Sequence, residues 1–261
     1  MTFVLVAIAL YLVATGLLVA GVSREAHSSR HWLLPALGAV ALHGATHLLA
    51  WHGTGGADLH FYSALSLVGL GMAALTALMG SWGRMAALGV VVFPLAALML
   101  LGYHAYGHVS ASPLDWRLQL HAGFALLAYA TLAVAGLLAI MLLLQERALR
   151  RREFPRWLRA LPPLIELETL LFRTIAVGFV LLSATLLTGV LFVDDLLAQK
   201  LVHKTTLSAL SWLAFGALLL GRRRYGWRGV IAVRWTLVAM GLLVLAFFGS
   251  KFVLELILHR G

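Results

Sequence analysis

Residues 119–145 read QLHAGFALLAYATLAVAGLLAIMLLLQ, a run without a single formal charge. It is followed by Glu146 and then by Arg147, Arg150, Arg151, Arg152, Arg156 and Arg159. A bilayer core about 30 Å thick needs roughly 20 such residues in a helix. The apolar stretch is therefore a membrane span, and the basic stretch after it is a cytoplasmic loop. Working outward, seven more runs meet the same criterion, at 2–22, 32–51, 60–79, 85–102, 168–193, 205–221 and 229–257. The first lacks a basic leader and a small-residue cleavage site, so it reads as a retained helix.

Composition agrees. Hydrophobic residues make up 62% of the 261 and charged residues 11%, with mean hydropathy +0.94. A soluble domain has about 45–50% apolar and 25% charged residues. The expected fold is all-α, a polytopic bundle of about eight transmembrane helices forming a single integral membrane domain over 1–261.

The net charge of +10 does not indicate nucleic acid, because the basic residues alternate with the spans. Arg24 and Arg30 fall in the first loop, Arg84 in the third, the arginine run above in the fifth, and Arg222, Arg223, Arg224 and Arg228 in the seventh. The even loops carry Asp58, then Asp115 with Arg117, then Asp194, Asp195, Lys200 and Lys204. The odd loops are expected in the cytoplasm, with both termini on the outer, periplasmic side of a bacterial cytoplasmic membrane. At the end of the fifth loop, Pro162 and Pro163 suit a break before a new helix, and Glu166 and Glu168 suit its first turn. These carboxylates are expected to meet loop arginines rather than to catalyse.

The chemistry lies in the histidines. Of eleven, nine fall in the outer half or on the outer face of this threading. Imidazole is costly in hydrocarbon and is a common ligand of haem iron and transition metals. The chain has no cysteine, so disulfides, thiolate metal sites, iron–sulfur ligation and covalent haem attachment are excluded. There is no G-x-S-x-G, H-E-x-x-H or nucleotide-loop motif, which argues against hydrolytic chemistry.

Taken singly, the histidines differ. His27 and His31 sit in a polar cytoplasmic loop and suit solvation. His43 and His47 are four apart, on one face of the second span. They fit either hydrogen bonding to neighbouring helices, with Thr46 as a further polar partner, or metal ligation. His52, His60, His104 and His108 suit a wet interfacial belt with Tyr103, Tyr106 and Trp116. His121 opens the fifth span at its outer boundary. Ala125, Ala128, Ala135 and Gly136 follow it, small residues against which another helix can pack closely, so its imidazole is expected to face a shared cavity. His203 and Lys204 start the seventh span, a corner suited to an anion such as a haem propionate. His259 lies at the chain end.

Several segments together resemble the cytochrome c assembly protein family, whose members include CcsA- and HemX-like haem-handling proteins, and most nearly its HemX- and YpjD-like branch. They are Leu120-His121-Ala-Gly-Phe-Ala-Leu-Leu-Ala-Tyr129 running into Leu142-Leu-Leu-Leu-Gln145, then Lys204-Thr-Thr-Leu-Ser-Ala-Leu-Ser-Trp212, Tyr225-Gly226-Trp227-Arg228-Gly229 and Phe248-Gly249-Ser250-Lys251. The resemblance runs from the second span onward and is strongest over about 60–258.

The resemblance implies a membrane haem-binding protein of cytochrome c biogenesis, holding non-covalent, b-type haem. His121 would be an axial ligand, with His203 or His43 its partner and Lys204 at a propionate. Other membrane subunits of a cytochrome assembly system would be partners. True synthases of the family carry a tryptophan-rich haem-presenting loop before the segment matching Lys204–Trp212. Here Phe192 to His203 contains no tryptophan, which implies an accessory factor rather than an enzyme. Two alternatives stand beside this reading. One is a transporter or metal permease using His43 and His47, for which Pro94 inside the fourth span has no counterpart in the eighth and no internal repeat is seen. The other is a non-catalytic assembly partner.

Overall fold

All eight expected spans are helices in the computed structural model, and no strand occurs among the described residues. It describes residues 2–23, 30–54, 58–81, 84–107, 115–152, 161–192, 202–249 and 251–252. The helices are α1 (Thr2–Ser23), α2 (Leu33–Thr54), α3 (Phe61–Gly80), α4 (Gly89–Tyr106), α5 (Trp116–Arg150), α6 (Leu164–Phe192), α7 (Val202–Tyr225) and α8 (Gly229–Val244). A π-helical turn, Leu245–Gly249, continues α8. Every one of the eight is long and apolar enough to cross a bilayer. This is a polytopic membrane protein.

Several boundaries differ from the hydropathy reading, among them the ends of α4 at Tyr106 and α7 at Tyr225. Helix α5 runs on to Arg150 and α6 begins at Leu164. At 1.5 Å per residue, the 35 residues of α5 span about 50 Å, well beyond the hydrocarbon. Glu146, Arg147, Ala148, Leu149 and Arg150 are good helix formers, so the helix continues after the apolar run has stopped.

The chain divides into two compact units, Met1–Pro113 with Arg147–Pro163, and Leu114–Glu146 with Leu164–Gly261. In the first, α1 packs on α2 and α4, and α3 packs on α2 and α4. The buried residues of α1 are Val4, Ala7, Tyr11, Ala14 and Leu18, spaced alternately three and four apart. That spacing makes one stripe along a helix. Leu5, Leu12, Val13 and Val19, on other faces, stay exposed, as hydrocarbon-facing side chains should.

In the second unit α5 is the most deeply buried span. Ala128 and Ala135 are fully buried, and Gly136 faces Met240 of α8, so the small residues do lie at helix contacts. Polar side chains add fixed points. Trp212 Nε1 donates to Ser183 Oγ on α6 at 2.8 Å, and Ser211 Oγ donates to the Ala239 carbonyl on α8 at 2.8 Å. Tyr129 Oη donates to the Leu243 carbonyl at 2.6 Å, beside the π turn, where widening changes the carbonyl register.

The arginine-bearing end of this unit is closed by an ion cluster. Glu168 Oε1 accepts from Arg222 Nη1 and, at 3.2 Å, from Arg228 Nε. The Arg222 guanidinium also lies over the Phe172 ring, 4.6 Å from its centre. The chain turns through Gly226, between the two arginines, and Gly229, just after Arg228, both in the left-handed region at φ +66° and +53°, where a Cβ would be strained. This turn folds Trp227 back on Gly221 and stacks it on Trp235 at 5.6 Å. The carboxylate therefore meets loop arginines, as expected.

Candidate functional site

In the first unit His43 is completely buried, and both ring nitrogens are engaged. Nδ1 lies 3.2 Å from Tyr11 Oη on α1, and Nε2 lies 2.9 Å from Ser66 Oγ on α3. Ser66 Oγ is also 3.0 Å from His47 Nε2. A serine hydroxyl has one proton, so it donates to one imidazole and accepts from the other. Tyr11 donating to His43 Nδ1 makes His43 an Nε2–H donor to Ser66, and Ser66 then donates to His47 Nε2. One direction of donation satisfies all four groups.

His47 stacks on Tyr103 of α4 with centroids 4.5 Å apart. Asp58 Oδ1 is bonded to the His60 backbone amide at 2.9 Å and to its ring Nδ1 at 2.7 Å.

Thr46 does not join this chain of contacts; its hydroxyl donates to the Leu42 carbonyl of its own helix. The group that sequence reasoning missed is Tyr11. The available signal was a tyrosine at mid-span, since a phenol buried in hydrocarbon needs a partner for its hydroxyl. For a metal to enter between His43 and His47 it would have to displace Ser66. Among the described residues no group of three or more His, Asp or Glu side chains is placed to hold a metal ion.

In the second unit His121 is half-buried, with Nδ1 3.2 Å from Thr188 Oγ1 on α6. The Thr188 hydroxyl proton is already directed at its own helix, with the Ala184 and Thr185 carbonyls at 2.8 and 3.0 Å. Toward the imidazole Thr188 therefore accepts. With Thr188 as acceptor the proton sits on His121 Nδ1 and the lone pair on Nε2, the arrangement that orients a metal-ligating histidine. The ring lies against Gly189, where a Cβ would stand 3.2 Å from Cε1. One turn toward the start of α5, Arg117 Cζ lies 5.7 Å from the centre of the Trp116 ring and 6.0 Å from that of Phe192 on α6.

His203 is exposed at the start of α7, with Lys204 next to it. His31, His52 and His104 are exposed, and Tyr62 stacks on Tyr106 at 5.2 Å near the end of α4. His27, His108, His259, Asp194, Asp195 and Lys200 lie outside the described residues, as does the stretch 193–201 between α6 and α7.

The profile of the family described as "Cytochrome C assembly protein" matches residues 36–258. "Inner membrane protein YpjD" of Escherichia coli strain K12 is 28% identical over 266 residues, covering 98% of each chain. An "Uncharacterized 28.8 kDa protein in nifR3-like 5'region" of Azospirillum brasilense is 31% identical over 248 residues, 81% of this chain and 91% of its own. "Protein HemX" of Brevibacillus brevis is 28% identical over 131 residues, about half of each (49% and 48%). No solved structure gives a significant match. With the family profile extending from α2 to beyond α8, this chain belongs to the cytochrome c assembly protein family.

Proposed function

We propose that the protein is a haem-binding, haem-handling component of cytochrome c assembly in the bacterial cytoplasmic membrane, with His121 an axial ligand through Nε2. The observation that supports this reading is the contact of His121 Nδ1 with Thr188 Oγ1, whose proton is directed at its own helix; it favours the tautomer that leaves Nε2 for iron. The donor set suits haem iron: a neutral imidazole, aromatic faces at Trp116 and Phe192, and no thiolate anywhere in the chain. Without cysteine the haem is held non-covalently, as b-type. When bound it supplies an iron centre able to take two axial ligands.

His203 is the proposed second ligand, with Lys204 at a propionate. Ligation by His43 would require breaking its bond to Tyr11 or to Ser66, which makes it the costlier partner. The odd loops are taken as cytoplasmic and His121 as facing the outer side, as the arginine distribution indicates. Because residues 192–203 carry no tryptophan, the role is holding or passing on haem beside other membrane subunits, rather than presenting it for covalent attachment.

The test is a reduced-minus-oxidised spectrum and a pyridine haemochrome assay on purified protein, wild type beside His121→Ala. Sharp b-type bands that disappear in the variant are expected. Wild-type protein without haem, after expression with ample haem supply, would refute the reading.

A further inference from the structure

The geometry points to Arg117 as a carboxylate-binding residue, paired with His121 in one two-point site; this rests on the haem reading above. Arg117 and His121 are four apart on α5 and so share a face, one turn apart. Across from them, Thr188 and Phe192 are four apart on α6. Thr188 meets His121, and Phe192 meets Arg117. Two independent contacts thus bring the same column of α5 against the same column of α6.

The guanidinium lies near the Trp116 and Phe192 rings, themselves 5.9 Å apart. Arg117 and Trp116 are exposed, and such contacts bias the guanidinium toward the rings without using its N–H donors. Among the described residues no carboxylate is paired with it, Asp115 two residues away included. A planar fork of donors is thereby positioned near the aqueous end of the helix, one turn from an imidazole whose lone pair is set for a metal. The ligand that fits has a ligand-accepting metal near its centre and carboxylates on its edge. A guanidinium binds a carboxylate through two parallel hydrogen bonds, which a point charge such as Lys204 cannot do.

The experiment titrates the purified full-length protein with two probes, iron protoporphyrin IX and its dimethyl ester, in which both carboxylates are masked. Wild type, Arg117→Gln and His121→Ala are compared by the absorbance of the bound form. Arg117→Gln is expected to weaken binding of the free acid about tenfold and to leave binding of the ester unchanged. His121→Ala should remove the bound-form spectrum with both probes. Equal binding of the acid by wild type and Arg117→Gln would overturn the assignment, and so would an equal loss for acid and ester. If His121→Ala kept the spectrum while Arg117→Gln lost affinity for the acid alone, the carboxylate site would stand and the ligand assignment would fall.

Discussion

Replacing Ser66 by alanine removes one oxygen and strands two imidazoles. In the folded protein Ser66 Oγ is the partner of both His43 Nε2 and His47 Nε2. His43 is completely buried, so neither water nor lipid can replace the lost bond. His47 is only partly buried and recovers some solvation. Stranding a buried polar group costs about 1–3 kcal/mol in water-soluble proteins. Hydrogen bonds within membranes average about 0.6 and reach about 1.7 kcal/mol, because the reference state also finds partners. Two bonds on this scale, the more buried one weighted upward, give a destabilisation of about 1–3 kcal/mol for Ser66→Ala. Thr15→Ala is the control, since its hydroxyl donates only to the Tyr11 carbonyl of its own helix and should change stability by no more than about 0.5 kcal/mol. The assay is unfolding in mixed micelles titrated with SDS, followed by circular dichroism, on Ser66→Ala, Thr15→Ala, Tyr11→Phe and the double variant Tyr11→Phe/Ser66→Ala. The double variant should lose less than the sum of its singles, because both bonds act on His43. If Ser66→Ala matched Thr15→Ala, or the double variant were additive, the reasoning would be wrong and the four groups would be neighbours rather than a chain.

Two further predictions concern the second unit and the threading. Thr188→Val keeps the shape of the side chain but removes the acceptor for His121 Nδ1–H; losing such an orienting partner typically costs 10–100-fold in metal affinity, so haem titration should show weaker binding of about that size with an unfolding midpoint near wild type. The chain has no cysteine, so single cysteines report sidedness directly: in intact spheroplasts a membrane-impermeant maleimide should label His203→Cys and not Arg223→Cys, and the reverse pattern would invert the proposed topology.

Much of the fold is legible in the sequence because hydrocarbon imposes a simple demand. Each span must satisfy its backbone internally and be apolar for about 20 residues, and all eight runs read this way are helices. The boundaries are less legible, since hydropathy measures where apolar residues end and not where helix formation ends. Glu146 to Arg150 continue α5 because leucine, alanine, glutamate and arginine favour a helix in water as well. The sequence marks Glu168 as a carboxylate that meets loop arginines, without saying which ones. That one oxygen of Glu168 receives both Arg222 and Arg228 required the turn through Gly226 and Gly229.

The site is less legible, for a reason that concerns nitrogen atoms rather than residues. Spacing and depth mark His43, His47 and His121 alike as imidazoles inside or at the edge of a span. What separates them is the partner of each ring nitrogen, and every such partner lies far off in the chain: Tyr11 and Ser66 for His43, Thr188 for His121. A histidine with both nitrogens bonded to hydroxyls is tied into its helix packing, and ligation there requires breaking a bond. A histidine whose Nδ1–H is accepted by a hydroxyl already committed to backbone carbonyls is oriented and keeps its Nε2 lone pair. The decisive residue for His121 is therefore a threonine on another helix, whose own proton goes to Ala184 and Thr185. In the sequence that threonine is indistinguishable from Thr185 three residues earlier, which also donates to its own helix, at the Leu181 carbonyl. Only the packing of α5 on α6 places an imidazole against Thr188.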